Sequence, residues 1–328
     1  MSINAHDPAA EAALHLDAGR SPRVLEPSPP AVADGPFFAD DPAALGDNGG
    51  DDTVTPTSAG AYSWDDIVAQ QPELGDWAAE RWLANRPRLP ALPDGYADAR
   101  NGYHRLAYGV VAEARRLANG KFGLRYTRGG YGTPFFGDDE QVRVVGGVLV
   151  HQEAGAVRSA PITTLRAAAD FLGVEPGTEA GEHDSPPLGD FDEDLGATAA
   201  TGAFLGEWFG LAWAVLEELR VTDGAVDPER TQLWPGHFDP AIAMGDADAG
   251  SRATFGASPG DHGHSEPYLY IGAWGEVDAD DPFWNANGFA GAELSFADLV
   301  STGNSLDGNE YAGALTFFRE GYRRLLSS

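Results

Sequence analysis

The chain has no cysteine, only two methionines and a single lysine, Lys121. Without cysteine there is no disulfide, no thiol nucleophile and no thiolate ligand for a metal. No run of apolar residues approaches the 18 needed to span a bilayer. Residues 1–20 lack a basic stretch followed by an apolar one, so no secretory signal is expected there. Positive charge is scarce throughout, with 21 basic against 51 acidic residues and a formal net charge of −30. Nucleic acids and anionic membranes are held by basic surfaces, so neither is an expected partner. These absences leave a cytoplasmic protein as the expectation.

What is present is enough to build a core. The chain is 42% hydrophobic and carries 8 Trp, 10 Tyr and 16 Phe, which excludes wholesale disorder. The acid is biased in kind, with 31 Asp to 20 Glu, and 20 of the 21 basic residues are Arg. Spread over the roughly 13,000 Å² that a chain of this mass exposes, the net charge amounts to about one unit per 400 Å². Such a surface repels itself at ordinary ionic strength, and molar salt screens that repulsion within about 3 Å. Exchanging Lys for Arg and Asp also removes long aliphatic stems from the surface. The composition reads as that of a halophilic protein.

Helices and strands are expected in blocks rather than in alternation, which predicts an α+β fold with antiparallel sheet and flanking helices. Residues 1–62 read as a mostly irregular acidic segment, with Glu26, Pro27, Pro29 and Pro30 marking extended chain. Ser63 with Asp66 gives a capping-box signal, and Asp76 can cap a second helix bearing Trp77 and Trp82. Apolar spacing predicts a helix over 98–119, ended by Gly120, then strands over 122–127, 141–145, 148–152 and 156–162, with Gly146-Gly147 as a hairpin turn. Thr163 or Thr164 caps a short helix reaching Phe171. Residues 175–197 read as an acidic linker, with eight carboxylates and no Arg or Lys before Gly196, and as the expected boundary between 63–174 and 198–328. Beyond it come a buried helix over 198–220, strands over 231–244, 252–256 and 268–274, and a closing helix over 310–326.

Two stretches can carry chemistry. The first is a basic island: Arg115, Arg116, Lys121, Arg125 and Arg128 fall between 115 and 136 without one Asp or Glu. Around Arg128, Gly129, Gly130 and Gly132 offer backbone N–H groups, so Arg125, Arg128 and these glycines are expected to hold a small anionic molecule. The alternative is that the glycines turn a hairpin and the arginines pair with the acidic surface. Neither the phosphate-loop nor the dinucleotide-binding glycine spacing is present. The second stretch pairs His237 with Asp239, two apart, for general acid–base work, with Tyr268 as a ligand contact. His262, His264 and Glu266 repeat the alternation, so His237, His262, His264 and Glu266 form an alternative metal-binding set for a hydrolase. A third reading gives the aromatic residues over 268–274 to a protein interface. Asp190, Asp192 and Asp194 resemble the start of a calcium loop, but Leu195 and Thr201 stand where that loop needs Gly and Glu. No cofactor is indicated.

Residues 26–31 (EPSPPA), 123–136 (GLRYTRGGYGTPFF), 233–239 (LWPGHFD), 256–261 (GASPGD) and 266–272 (EPYLYIG) resemble a family of actinobacterial and haloarchaeal proteins. That family has no assigned activity, so the resemblance implies a salt-adapted, non-secreted protein and transfers no site residue.

Overall fold

The computed structural model describes residues 88–127, 129–134, 136, 140–153, 156–182, 185–220, 222–229, 231–303 and 310–327. The expectations for the segment before 88, including the capping box at Ser63 and the helix after Asp76, lie outside these residues, as does Arg128.

The fold is α+β, as the blockwise pattern predicts. The first helical run comprises α1 (Tyr96–Leu106), a π-helical turn (Ala107–Val111) and α2 (Ala112–Asn119). Gly120 ends it in the left-handed region, at φ 77°. The π turn is invisible to a 3.6-residue periodicity. It forms where the acidic segment lies against the helix: Gly177 N–H donates to Gly109 O at 3.0 Å. A Cβ at Gly109 would stand 2.5 Å from Leu188 Cδ2.

Five antiparallel strands follow as a meander: β1 (Arg125–Thr127), β2 (Gly130–Gly132), β3 (Gln141–Val145), β4 (Val148–Glu153) and β5 (Ala156–Pro161). Gly146 and Gly147 turn β3 into β4, as expected. β2 is an addition to the expectation, because two of its three residues are glycine, which is depleted in strands, and it is paired on both sides by its neighbours. Thr164 caps α3 (Leu165–Leu172), accepting from Ala167 N–H at 3.0 Å.

The acidic stretch then packs along α1 and α2. Tyr108 OH donates to Pro186 O at 2.5 Å, Arg105 reaches Leu188 O, and Leu188 and Leu195 are buried. Thr198 caps α4 (Ala199–Leu219). A second five-stranded meander follows: β6 (Gln232–Trp234), β7 (Asp239–Met244), β8 (Ala253–Ser258), β9 (Tyr268–Ala273) and β10 (Gly291–Ser295). The single strand expected over 231–244 is therefore two, split by a turn at Pro235–Phe238. α5 (Phe296–Gly303) and α6 (Glu310–Leu326) close the fold. β10 and α5 were not anticipated, whereas α6 has the expected bounds.

α4 is the axis of the molecule. It is apolar on nearly every side, and Phe204, Trp208, Phe209 and Trp213 are all buried. Among the described residues it is the one helix long and apolar enough to cross a membrane by length and composition, and it is mostly covered by its own protein. It contacts β1, β2 and β3 on one side and β7 and β8 on the other. Tyr131, Val144 and Leu149 of the first sheet share one core with Ile242, Phe255 and Ile271 of the second and with Phe318 of α6. The two sheets also touch edge to edge, where Leu124 and Leu233 exchange two backbone hydrogen bonds of 2.9 Å.

The close seating of α4 depends on Gly202. A Cβ there would meet Gly146 O at 2.3 Å and Tyr103 Oη at 2.5 Å. That hydroxyl lies 2.9 Å from Gly146 O and 2.8 Å from Thr198 O. Gly202→Ala gains about 1 kcal/mol of helix propensity, but it forces apart backbone that has no room to move. A net loss of about 1–3 kcal/mol is expected, read as a lower urea midpoint at unchanged slope.

Candidate functional site

The second sheet alternates cleanly. Ile242, Met244, Phe255, Ala257, Leu269 and Ile271 face the core, while Asp239, Thr254, Ser258, Tyr268 and Tyr270 face outward. On this outer face lies a cavity of about 350 Å³, walled by His237, Asp239, Ser258, Asp261, Tyr268 and Tyr270, with Thr254 and Phe289 also lining it.

Cross-strand register builds the cavity. Tyr270 on β9 pairs with Gly256 on β8, which pairs with Ala241 on β7. Because residue 256 has no side chain, the Tyr270 ring lies flat across β8: a Cβ at Gly256 would be 2.3 Å from Tyr270 Cζ. The phenol thereby reaches Asp239 at the start of β7 and donates to Oδ2 at 2.5 Å. A second tyrosine–carboxylate pair stands beside it, Tyr268 OH donating to Asp261 Oδ2 at 2.7 Å. The two tyrosine rings are 6.1 Å apart, and Phe289 meets Tyr270 edge-on at 6.4 Å.

Asp261 belongs to a loop pinned from below by α1. Tyr96 OH donates to Pro259 O at 2.7 Å, and the buried Arg100 donates to Asp261 O at 3.1 Å. Burial pushes the Asp261 carboxyl up. Hydrogen bonds from Tyr268 OH, Gly263 N–H and His264 outweigh it and hold the group below its ordinary value. Tyr268 moves the other way, raised by burial and then by its bond to Asp261, so it remains a neutral donor. Arg100 is lowered, chiefly by burial.

His237 and Asp239 both line the cavity, but by a different route from the one expected. His237 is in the turn, exposed, and Asp239 is the buried first residue of β7. Between them Phe238 adopts φ 60°, and its N–H donates to Trp234 O at 2.7 Å. A bulky residue in the left-handed region is strained. It is held there by its ring, which stacks on His104 at 5.2 Å and meets Tyr131 and Phe209 edge-on at 5.0 and 5.1 Å. His104 Nε2 lies 3.0 Å from Pro235 O and 2.9 Å from Gly236 O, so Nε2 carries the proton and clamps the turn.

The alternative metal set is not drawn together. His262 and Glu266 are exposed on the loop, and His264 stacks on Tyr268 with Nδ1 3.1 Å from Asp261 and Nε2 3.5 Å from Glu293. Among the described residues no group of three or more His, Asp or Glu is placed to hold a metal ion. The anion set lies elsewhere, on the first sheet: Arg125 on β1, Gly129 in the β1–β2 turn at φ 77°, and Gly130 and Gly132 on β2. None of the described residues of the basic island lines the cavity. Asp261, Tyr270 and Ser258 were missed by sequence reasoning. The usable signal was the Tyr-x-Tyr of β9 beside a glycine on the preceding strand.

Comparison with protein-family models, with curated proteins and with solved structures found no match for the chain.

Proposed function

We propose that the chain binds a small organic cation, an amine or quaternary ammonium, in the cavity on the outer face of the second sheet. The observation that carries this reading is the lining: Asp239 and Asp261, the rings of Tyr268, Tyr270 and Phe289, and, among the described residues, neither Arg nor Lys. Carboxylates attract an ammonium group, and aromatic faces add to that attraction once water is displaced. A volume of about 350 Å³ suits a ligand of metabolite size. The anion expected from the basic island would meet two carboxylates here. His237, on the same wall, is the proton acceptor if the bound molecule reacts. The held-down Asp261 keeps its charge, and its contribution to binding, from neutral pH down through the ordinary carboxylate range; both are lost only as pH falls through its own lower value. The same proposal sets the protein in a salt-rich cytoplasm, a reading supported by the excess of Asp and by Arg in place of Lys.

The test is calorimetric titration with tetramethylammonium and putrescine, with glycerol as the neutral control. Asp239→Asn keeps the size of the group that Tyr270 bonds and removes the charge. It is expected to weaken cation binding about tenfold, the worth of about 1.4 kcal/mol. Binding of glycerol as tight as of either cation, or an Asp239→Asn variant that binds like the parent, would overturn the reading.

A further inference from the structure

The outer face of the first sheet is closed to solvent, and beside an apolar cluster of Val145 and Val150 it carries buried polar side chains. Arg125 and Thr127 on β1, Gln141 and Arg143 on β3, and Gln152 on β4 are each at most 2% exposed. The register puts them on one face, Arg125 opposite Gly132 and Gly132 opposite Arg143. β2 contributes only Gly130 and Gly132 to that face, so no side chain stands between β1 and β3. Arg143 leans over the gap, its Cγ 3.0 Å from where a Cβ of Gly132 would be.

Arg125 is the anomaly. Its one hydrogen bond runs from Nε to the neighbouring Tyr126 O at 3.3 Å, and among the described residues no carboxylate pairs with it. Arg252, another buried arginine, is instead paired with Asp227 at 2.9 Å and Glu229 at 2.7 Å. A guanidinium does not shed its proton, and a buried charge left alone is strongly unfavourable. The face holds further unmet polar atoms. Thr127 Oγ1, Gln141 Oε1 and both amide atoms of Gln152 are buried without a hydrogen-bond partner among the described residues. Buried polar atoms are normally satisfied by protein, water or a bound ion.

We infer that Arg125 and Thr127 hold a small oxyanion, a carboxylate or phosphate, over the glycine strand β2. Strands two apart are separated by about 9–10 Å, room for one such ion between β1 and the side chain of Arg143. Thr127 Oγ1–H donates to it, and the guanidinium supplies a planar pair of N–H donors. The site is separate from the cation cavity, which none of these residues lines.

The experiment uses the whole chain in 2 M KCl, with inorganic phosphate and acetate added separately at constant ionic strength. Either phosphate or acetate is expected to raise the melting temperature of the parent by about 3 °C at ten times its Kd, and the better ion identifies the class. Arg125→Met is expected to lose that rise, while Asp239→Asn keeps it. A parent whose melting temperature neither ion moves overturns the inference, as does an Arg125→Met variant that responds like the parent. Should Arg125→Met not fold, Arg125→Lys keeps the charge without the planar fork. Its rise is expected to be less than half that of the parent, and an undiminished rise overturns the site.

Discussion

Phe238→Ala is expected to lower the unfolding free energy by about 3–5 kcal/mol, the range for removing a buried aromatic ring. The ring is fully enclosed, with His104 stacked on it and Tyr131 and Phe209 at its edges. Because the backbone at 238 is left-handed, φ 60°, the ring also holds a conformation that costs a non-glycine residue about 1–2 kcal/mol. The two contributions are separable. Phe238→Gly loses the same ring but also relieves the strain, which Phe238→Ala keeps, so it is expected to be as stable as Phe238→Ala or about 1 kcal/mol more stable, although glycine is ordinarily the worse choice. Urea midpoints at equal slope decide it. An alanine variant clearly more stable than the glycine variant would mean that the turn does not hold Phe238 in this strained form. Since His237 and Asp239 flank residue 238, both variants should also lose affinity in the cation titration.

The elements that were legible are those in which local signals agree. Residues 198–220 are apolar around the helix and begin with a capping threonine, and Gly120 and the Gly146-Gly147 turn sit where the chain reverses. Illegible features depend on a distant partner. β2 is a strand because β1 and β3 flank it, and the π turn lies where Gly177 N–H bonds to Gly109 O and Leu188 packs over Gly109. The break in 231–244 comes from the seating of Phe238 against α1 and α4, which no local pattern reports. In the candidate site, His237, Asp239 and Tyr268 were readable as residue types suited to ligand contact or proton transfer. The pairing of Tyr270 with Asp239 was not, because it spans two strands and requires Gly256 between them. The basic island was readable as a departure from an acidic background, but the side chains around Arg125 emerge only from the register of the first sheet.

The second large effect is salt. Treated as a sphere of about 25 Å radius, a chain of charge −30 repels itself by roughly 20 kcal/mol at 0.1 M salt and roughly 8 at 1 M. The unfolded chain, about 65 Å in radius of gyration, changes by only a few kcal/mol over the same interval because its charges are already far apart. The difference, on the order of 10 kcal/mol, equals the whole stability of an ordinary domain. Local ion pairs do not offset it: Arg166 with Asp192, Arg319 with Glu218 and Arg323 with Glu320 lie at the surface, and exposed pairs contribute about 0–1 kcal/mol each. The protein is therefore expected to be folded in 1–3 M KCl and to lose most of its near-ultraviolet circular dichroism on dialysis to 0.1 M, regaining it when salt is restored. Sucrose at equal osmotic strength should not substitute, because it strengthens burial without screening charge. A melting temperature that is the same at 0.1 and 3 M KCl would show that the acidic surface is tolerated without salt, and with it the halophilic reading would fail.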